Sequence, residues 1–155
     1  MNRLMLFVFS APLFLFPAGA LAQMSDLKLN EKIIIETPHT LVAPGWLKNR
    51  PVYMTIINKS PEDDTLTGAS SPVAEEVILQ YTHNYGQGVK TMRPLENQEI
   101  YLPPMSKVKL QPGGMHLMFT GLKQPLRLGL EVPVRLEFAN SPAIYVKTII
   151  QKQPD

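Results

Sequence analysis

Proline recurs along the whole of this chain, with 15 prolines in 155 residues, and the apolar stretches between them are short. Helix interiors exclude proline because it lacks the N–H group that a helical turn needs and its ring clashes with the preceding turn. The apolar stretches are rich in β-branched residues and are bounded by Pro, Gly, Asn or Asp, which is typical of strands separated by turns. The sequence therefore predicts an all-β sandwich or barrel.

Short apolar runs between turn signals predict nine strands. Some of these runs alternate apolar and polar residues, as half-buried antiparallel strands do. The segment from Asn58 to Asp64 is interpreted as a solvated turn, and no strand is predicted in the segment from Thr65 to Pro72 that follows it. The predicted strands are Ile33–Glu36, Val52–Asn58, Val77–Thr82, Val89–Met92, Glu99–Leu102, Lys107–Leu110, His116–Thr120, Val134–Phe138 and Ile144–Ile150.

The first 22 residues predict export. Arg3 gives a positive start, the run from Leu4 to Phe16 is almost wholly apolar, and Ala20-Leu-Ala22 is a small-x-small cleavage pattern. We interpret residues 1–22 as a cleaved secretory signal peptide and residues 23–155 as a single domain, since no repeat or linker interrupts it. The mature protein is expected to be periplasmic, without a membrane span, and monomeric.

Composition excludes several classes of function. The formal net charge is only +2 and the chain has no basic stripe, so nucleic acid is not an expected partner. No cysteine is present, which excludes a disulfide framework, a thiolate nucleophile and the His2Cys site of a blue-copper protein. No Gly-x-Ser-x-Gly elbow occurs, and we expect the protein not to be an enzyme.

Two candidate metal-ligating side chains lie in one predicted strand. His116 and Met118 are two residues apart and point to the same face, whereas Met115, Leu117 and Phe119 form the core face. On a solvent face, position 118 should be polar. An imidazole beside a thioether on the expected exposed face instead predicts a soft-metal site, above all for Cu(I).

Five segments of the chain carry a resemblance to one protein family. They are Val52-Tyr-Met-Thr-Ile-Ile-Asn58, Leu66-Thr-Gly-Ala-Ser-Ser-Pro-Val-Ala74, Val89-Lys-Thr-Met92-Arg-Pro94, Leu110-Gln-Pro-Gly-Gly-Met-His116-Leu-Met118 and Gly121-Leu-Lys-Gln-Pro-Leu126. Together they resemble the PCu(A)C family of periplasmic copper chaperones. The resemblance implies a cupredoxin-like (immunoglobulin-like) antiparallel β-sandwich that binds Cu(I), and it implies delivery of copper to the copper centre of cytochrome oxidase or to another copper-assembly protein.

The family motif has four ligands, and this chain matches three of them, with Met92, His116 and Met118. At the position of the first family histidine the chain has Gln80 or, counting back from Met92, Tyr81. Neither is a good Cu(I) ligand. His83 lies nearby; strict alternation directs it to the core side, but a bulge or turn could direct it to the site.

Three interpretations of the missing histidine remain open. His83 substitutes for it, the site is three-coordinate, or copper binding has been lost. We favour the first two and expect a metal site of His83, Met92, His116 and Met118 that binds Cu(I), with Cu(II) as a further option. The alternative is a metal-free β-sandwich interaction or assembly module. His39 could be an auxiliary ligand, although an exposed turn histidine is the simpler interpretation.

Overall fold

Every regular element between residues 32 and 152 is a β-strand. The structure, a computed structural model, describes these residues. The predicted signal peptide, residues 1–22, lies outside the described residues, so the boundaries 1–22 and 23–155 stay a prediction. None of the described elements is a helix that could span a bilayer. The strands are β1 Ile33–Leu41, β2 Arg50–Asn58, β3 Asp64–Ser70, β4 Ala74–Asn84, β5 Lys90–Pro94, β6 Ile100–Leu102, β7 Ser106–Leu110, β8 Met115–Leu122, β9 Glu131–Phe138 and β10 Ile144–Gln151.

The all-β prediction is confirmed, and each predicted strand overlaps one of those observed. No strand was predicted over Thr65–Ser70, but this segment lies in β3. Its small and polar residues hide the strand in the sequence, yet Leu66 is fully buried in the core. β3 also pairs with β6 on one side and β9 on the other, so its backbone hydrogen bonds are satisfied within the sheet.

The strands follow the order β5-β4-β8-β2-β1-β10-β9-β3-β6, and β7 pairs with β2. A pairing of Ala69 with Val77 joins β3 to β4, so the sheet closes on itself around one core. Nearly all of the pairings between residues 32 and 152 are antiparallel. The pairing of β1 with β10 is parallel, which the sequence did not predict.

The core lies on the inner face of these strands. Leu117 and Phe119 of β8 are fully buried and Met115 packs against the same cluster, so the predicted core face of this strand is confirmed. Adjacent strands contribute Val52 and Leu79. Because β8 lies between β2 and β4, its opposite face is flanked by side chains from both strands.

A glycine is favoured at position 121, near the end of β8. Its φ is +64°, and a Cβ atom there would lie 2.5 Å from a carboxylate oxygen of Glu75. A left-handed φ costs an L-residue about 1–2 kcal/mol. Gly88, in the turn between β4 and β5, also has a positive φ of +80°, but a Cβ atom there would meet nothing within 4 Å.

We expect Gly121→Ala to lower the free energy of unfolding by about 2 kcal/mol or more, because backbone strain and displacement of Glu75 add together. Gly88→Ala carries the strain alone and should cost about 1 kcal/mol. Urea denaturation of the two variants measures the difference. Equal losses would show that the contact with Glu75 has no energetic weight.

Candidate metal centre

The outer face of β8 carries the predicted nitrogen and sulfur donors. His116 is paired in register with Gln80 of β4, and Met118 is paired with Ile78 of the same strand. On the other side of β8, Pro51 of β2 is the partner of Met118. Since cross-strand partners point to the same side of a sheet, His116, Met118 and Gln80 share one face.

His116 is buried with one ring nitrogen left free. Its side chain is 1% exposed, and its Nδ1 lies 3.1 Å from the carbonyl oxygen of Gly114. A carbonyl only accepts, so Nδ1 carries the proton and the neutral ring presents a bare lone pair on Nε2. Nε2 is buried and has no hydrogen-bond partner among the described residues. A fixed Nδ1–H bond and an open Nε2 are the arrangement of a metal-ligating histidine.

The turn between β7 and β8 creates this arrangement. Gly113 has a φ of +79°, and the turn is closed by the Gly114 amide, which donates to the carbonyl of Gln111 at 3.0 Å. The carbonyl of Gly114 accepts from the backbone amide of Thr82 at 3.0 Å as well as from His116. The Pro-Gly-Gly sequence therefore fixes the tautomer of His116 and ties the turn to β4.

Met118 supplies a buried thioether beside His116. It is 6% exposed and does not belong to the main hydrophobic core cluster. The expectation that this face is exposed is wrong, because both donors point away from the core and are nevertheless buried. Burial of an imidazole and a thioether together keeps water away from the donors, which suits a soft ion.

Met92 lies on the same face, one strand further out. Its partner in β4 is Thr82, which shares the face of Gln80 because the two are two residues apart. Met92 is 49% exposed. Strands are spaced about 4.8 Å apart, so β5 and β8 are about 10 Å apart. The Met92 side chain must therefore lean across β4 to share an ion with His116.

The described residues do not bring His83 to this face. β4 continues to Asn84, and its pairing with β5 keeps a continuous register from Gln80 to Asn84. No bulge or turn therefore redirects His83, and it points to the face opposite Gln80. Its ring lies 6.1 Å from that of Tyr81 and 4.4 Å from that of Tyr85. Of the residues considered for the missing ligand, Gln80 is the one directly opposite His116.

Two rings lie on the face that carries His116 and Met118, here called the metal face. Sequence reasoning missed Tyr53 and named His39 only as a possible auxiliary ligand. Tyr53 of β2 is 6% exposed, and its ring centroid lies 6.2 Å from that of His116. His39 of β1 is paired with Tyr53, and their centroids are 5.6 Å apart. The interpretation of His39 as an exposed turn residue is wrong, because it is half-buried within β1. The family segment Val52–Asn58 contained Tyr53, but only the strand register places its ring beside His116.

This face is poorly suited to a hard ion such as Mg²⁺ or Ca²⁺. Between residues 32 and 152, no three side chains of the His, Cys, Asp and Glu types form a metal-holding group. The donors that share this face are one imidazole nitrogen and the thioether of Met118, with the amide of Gln80 opposite. Soft thioether sulfur selects Cu(I) over Mg²⁺ or Ca²⁺, which bind oxygen.

Comparison with known proteins identifies the family. The family model described as "Putative lipoprotein LpqE-like" matches residues 33–150. The chain belongs to this LpqE-like family. A curated relative, "Putative lipoprotein Lxx21020" of Leifsonia xyli subsp. xyli, is 31% identical over 104 residues, which is 64% of this chain and 61% of the relative. The LpqE-like chain thus matches about three fifths of that relative's length.

Solved structures confirm the fold and the predicted resemblance to PCu(A)C domains. The copper-bound PCuAC domain from PmoF2 aligns with the LpqE-like chain at a TM-score of 0.65 and 22% identity, covering 79% of this chain and 94% of that domain. The solution structure of CuI-DR1885 from Deinococcus radiodurans aligns at a TM-score of 0.61 and 26% identity, covering 85% and 86%. The LpqE-like chain therefore has the PCuAC fold.

The burial of His116 predicts an effect of pH on stability. Desolvation lowers the pKa of His116 below its ordinary value of 6.5, and the hydrogen bond to Gly114 opposes this shift in part. Below pH 6.5 the unfolded chain then binds more protons at this residue than the folded chain does. The contribution of His116 to the free energy of unfolding therefore falls as the pH drops from 7.5 to 5.5.

We expect His116→Gln to flatten this decline by up to about 1.4 kcal/mol per pH unit, the limit for one proton. Urea denaturation of the metal-free wild type and variant at the two pH values measures it. Parallel declines in the two proteins would contradict a role for His116.

Proposed function

We propose that this chain is a copper carrier that binds one Cu(I) ion through Met92, His116 and Met118 and passes it to a partner protein. The observation that carries the proposal is the bare, buried Nε2 of His116 on the same face as the buried thioether of Met118. A buried acceptor without a partner costs about 1–3 kcal/mol. Coordination of a metal ion would remove this cost.

The charge balance favours a monovalent ion. Methionine is neutral and His116 is neutral at pH 7, because its pKa is lowered by burial. Binding of Cu(I) would therefore add one positive charge to the buried site without any proton release, whereas Cu(II) would add two. Desolvation of a divalent ion without an anionic ligand is the more costly case.

Transfer of the ion would proceed from the Met92 side. His116 and Met118 are buried, whereas Met92 is half exposed on the outermost strand of this edge. Methionine has three rotatable bonds and adapts its position easily. We infer that Met92 exchanges first and that a ligand of the acceptor replaces it, while His116 and Met118 retain the ion until the second bond forms.

The proposal also covers the location of the protein and the acceptor of the ion. The predicted signal peptide and the lipoprotein description of the family support an exported protein. We propose a periplasmic location, with the copper centre of cytochrome oxidase or a copper-assembly protein as acceptor. The support for this acceptor is the resemblance to PCu(A)C chaperones; CuI-DR1885, a Cu(I) form by its description, is similar in fold.

The proposal predicts one Cu(I) per chain under reducing conditions, measured by competition with bicinchoninate. His116→Ala and Met118→Leu should each lower the affinity at least about tenfold, which corresponds to about 1.4 kcal/mol. Met92→Leu should have a smaller effect, because its side chain must reach across β4.

Matched controls separate ligation from general damage. Met105→Leu removes a thioether that is 72% exposed and should leave the affinity unchanged. His83→Ala removes an imidazole from the opposite face and should also have no effect. If His116→Ala and Met118→Leu bind copper as the wild type does, the site assignment is wrong; a loss in His83→Ala would restore His83 as a ligand.

The amide at position 80 provides a gain-of-function test. Gln80 is the direct cross-strand partner of His116, so Gln80→His adds an imidazole where the family motif has one. We expect a rise in Cu(I) affinity of at least about tenfold, equal to about 1.4 kcal/mol. Gln124→His, at an exposed position in the bend that follows β8, controls for an added histidine. Unchanged affinity in Gln80→His would place the metal away from β4.

Gln80 also favours a second candidate, a metal-free interaction or assembly module. An amide in place of an imidazole removes one soft-metal donor from the face. If the folded wild type takes up no Cu(I) but Gln80→His does, the metal-free function is the correct one.

A further inference from the structure

His39 is a histidine on the metal face that the proposed copper site does not use. It is paired with Tyr53 in register, and Tyr53 lies beside His116. His39, Tyr53, His116 and Gln80 therefore form one row across β1, β2, β8 and β4 on a single face. Two imidazoles in this row are separated by one phenol ring.

A β-bulge puts His39 on this face. Ile33 and Ile35 point to the core, and strict alternation would direct His39 to the core as well. The register shifts between Glu36 and His39, which adds one residue to β1. Beyond the shift, Thr40 is buried opposite Val52 and His39 points outward.

The bulge stores backbone strain. Thr37 has a φ of +49°, a left-handed conformation that costs an L-residue about 1–2 kcal/mol. Pro38 can occupy this position because a bulged residue needs no ladder hydrogen bond. The bulge that directs His39 to the metal face therefore carries an energetic cost.

The two imidazoles have the same tautomer. The Nδ1 of His39 lies 2.8 Å from the carbonyl oxygen of Thr37, as the Nδ1 of His116 lies 3.1 Å from that of Gly114. Each ring therefore has its proton on Nδ1 and a lone pair on Nε2. By chemistry, His39 is as competent a metal ligand as His116.

We propose that Tyr53 determines the oxidation-state preference of the copper site by keeping His39 away from the ion. This inference rests on the proposed function. Two imidazoles that share an ion each need a metal–nitrogen bond of about 2 Å, so their Nε2 atoms must approach to about 4 Å. The ring of Tyr53 lies between them, 5.6 Å from one centroid and 6.2 Å from the other. The site thus retains one nitrogen and two thioethers.

The nitrogen count matters because it changes the preferred ion. Thioether-rich sites select Cu(I), whereas imidazole is also a good ligand for Cu(II). A second imidazole would stabilise the divalent ion more than the monovalent one. Tyr53 then acts as a specificity-determining residue, and its hydroxyl is not required for the effect because the ring alone occupies the space.

The test is a double-mutant cycle on Tyr53→Val and His39→Ala, with Cu(I) and Cu(II) affinities measured by competition and the Cu(II) nitrogen count by electron paramagnetic resonance. We expect Tyr53→Val to raise the Cu(II) affinity at least about tenfold and to add one coupled nitrogen. The double variant should lose both gains. Tyr53→Phe retains the ring and should keep the low Cu(II) affinity of the wild type.

Equal Cu(II) affinities in Tyr53→Val and the double variant would overturn the inference, while Cu(I) binding by the wild type would leave the proposed function intact. Absence of Cu(I) binding in the folded wild type would overturn both. His39→Ala alone retains Tyr53 and tests the idea even if Tyr53→Val does not fold. It should leave the Cu(II) spectrum unchanged, and a lost nitrogen would show that His39 already binds the ion.

Discussion

The hydrogen bond from His116 Nδ1 to the carbonyl of Gly114 is the interaction on which the candidate site depends. It fixes the tautomer, and therefore decides that Nε2 is the nitrogen with a free lone pair. The same carbonyl accepts from the amide of Thr82, so the turn, β8 and β4 are joined at one atom. The orientation of the imidazole is thus a property of the backbone, set before any ion arrives.

The outer face of β8 is buried, as its core face is. A single strand carries two sets of side chains, and both sets of β8 are buried: Leu117 and Phe119 in the core, His116 and Met118 on the outer side. The inner set contributes hydrophobic stability. The outer set leaves an acceptor without a partner, which lowers stability by about 1–3 kcal/mol. A ligand that bonds to this acceptor would offset the cost.

The sequence was sufficient for the parts of the fold that depend on local pattern. Alternation in β8 predicted its core face, and the predicted start at His116 lies one residue from the observed start at Met115. The pattern could not predict β3, because Leu66 is the main apolar residue in a segment of Thr, Gly, Ala and Ser. The face of His39 was also hidden, since one bulged residue reverses the side to which every later side chain points.

In the candidate site, too, the spacing within one strand was predictable from the sequence, whereas the pairing between strands was not. His116 and Met118 belong to one strand, so their spacing alone predicts a shared face. The fourth ligand depends on which residue of β4 lies opposite β8, and sequence could not choose among Gln80, Tyr81 and His83. The register shows only which residue faces His116: the continuous pairing of β4 with β5 directs His83 to the opposite face and leaves Gln80 opposite His116. In the proposed copper site, an amide at that position and a phenol ring on the other side would leave one imidazole in reach, and such a low nitrogen count would favour the monovalent ion.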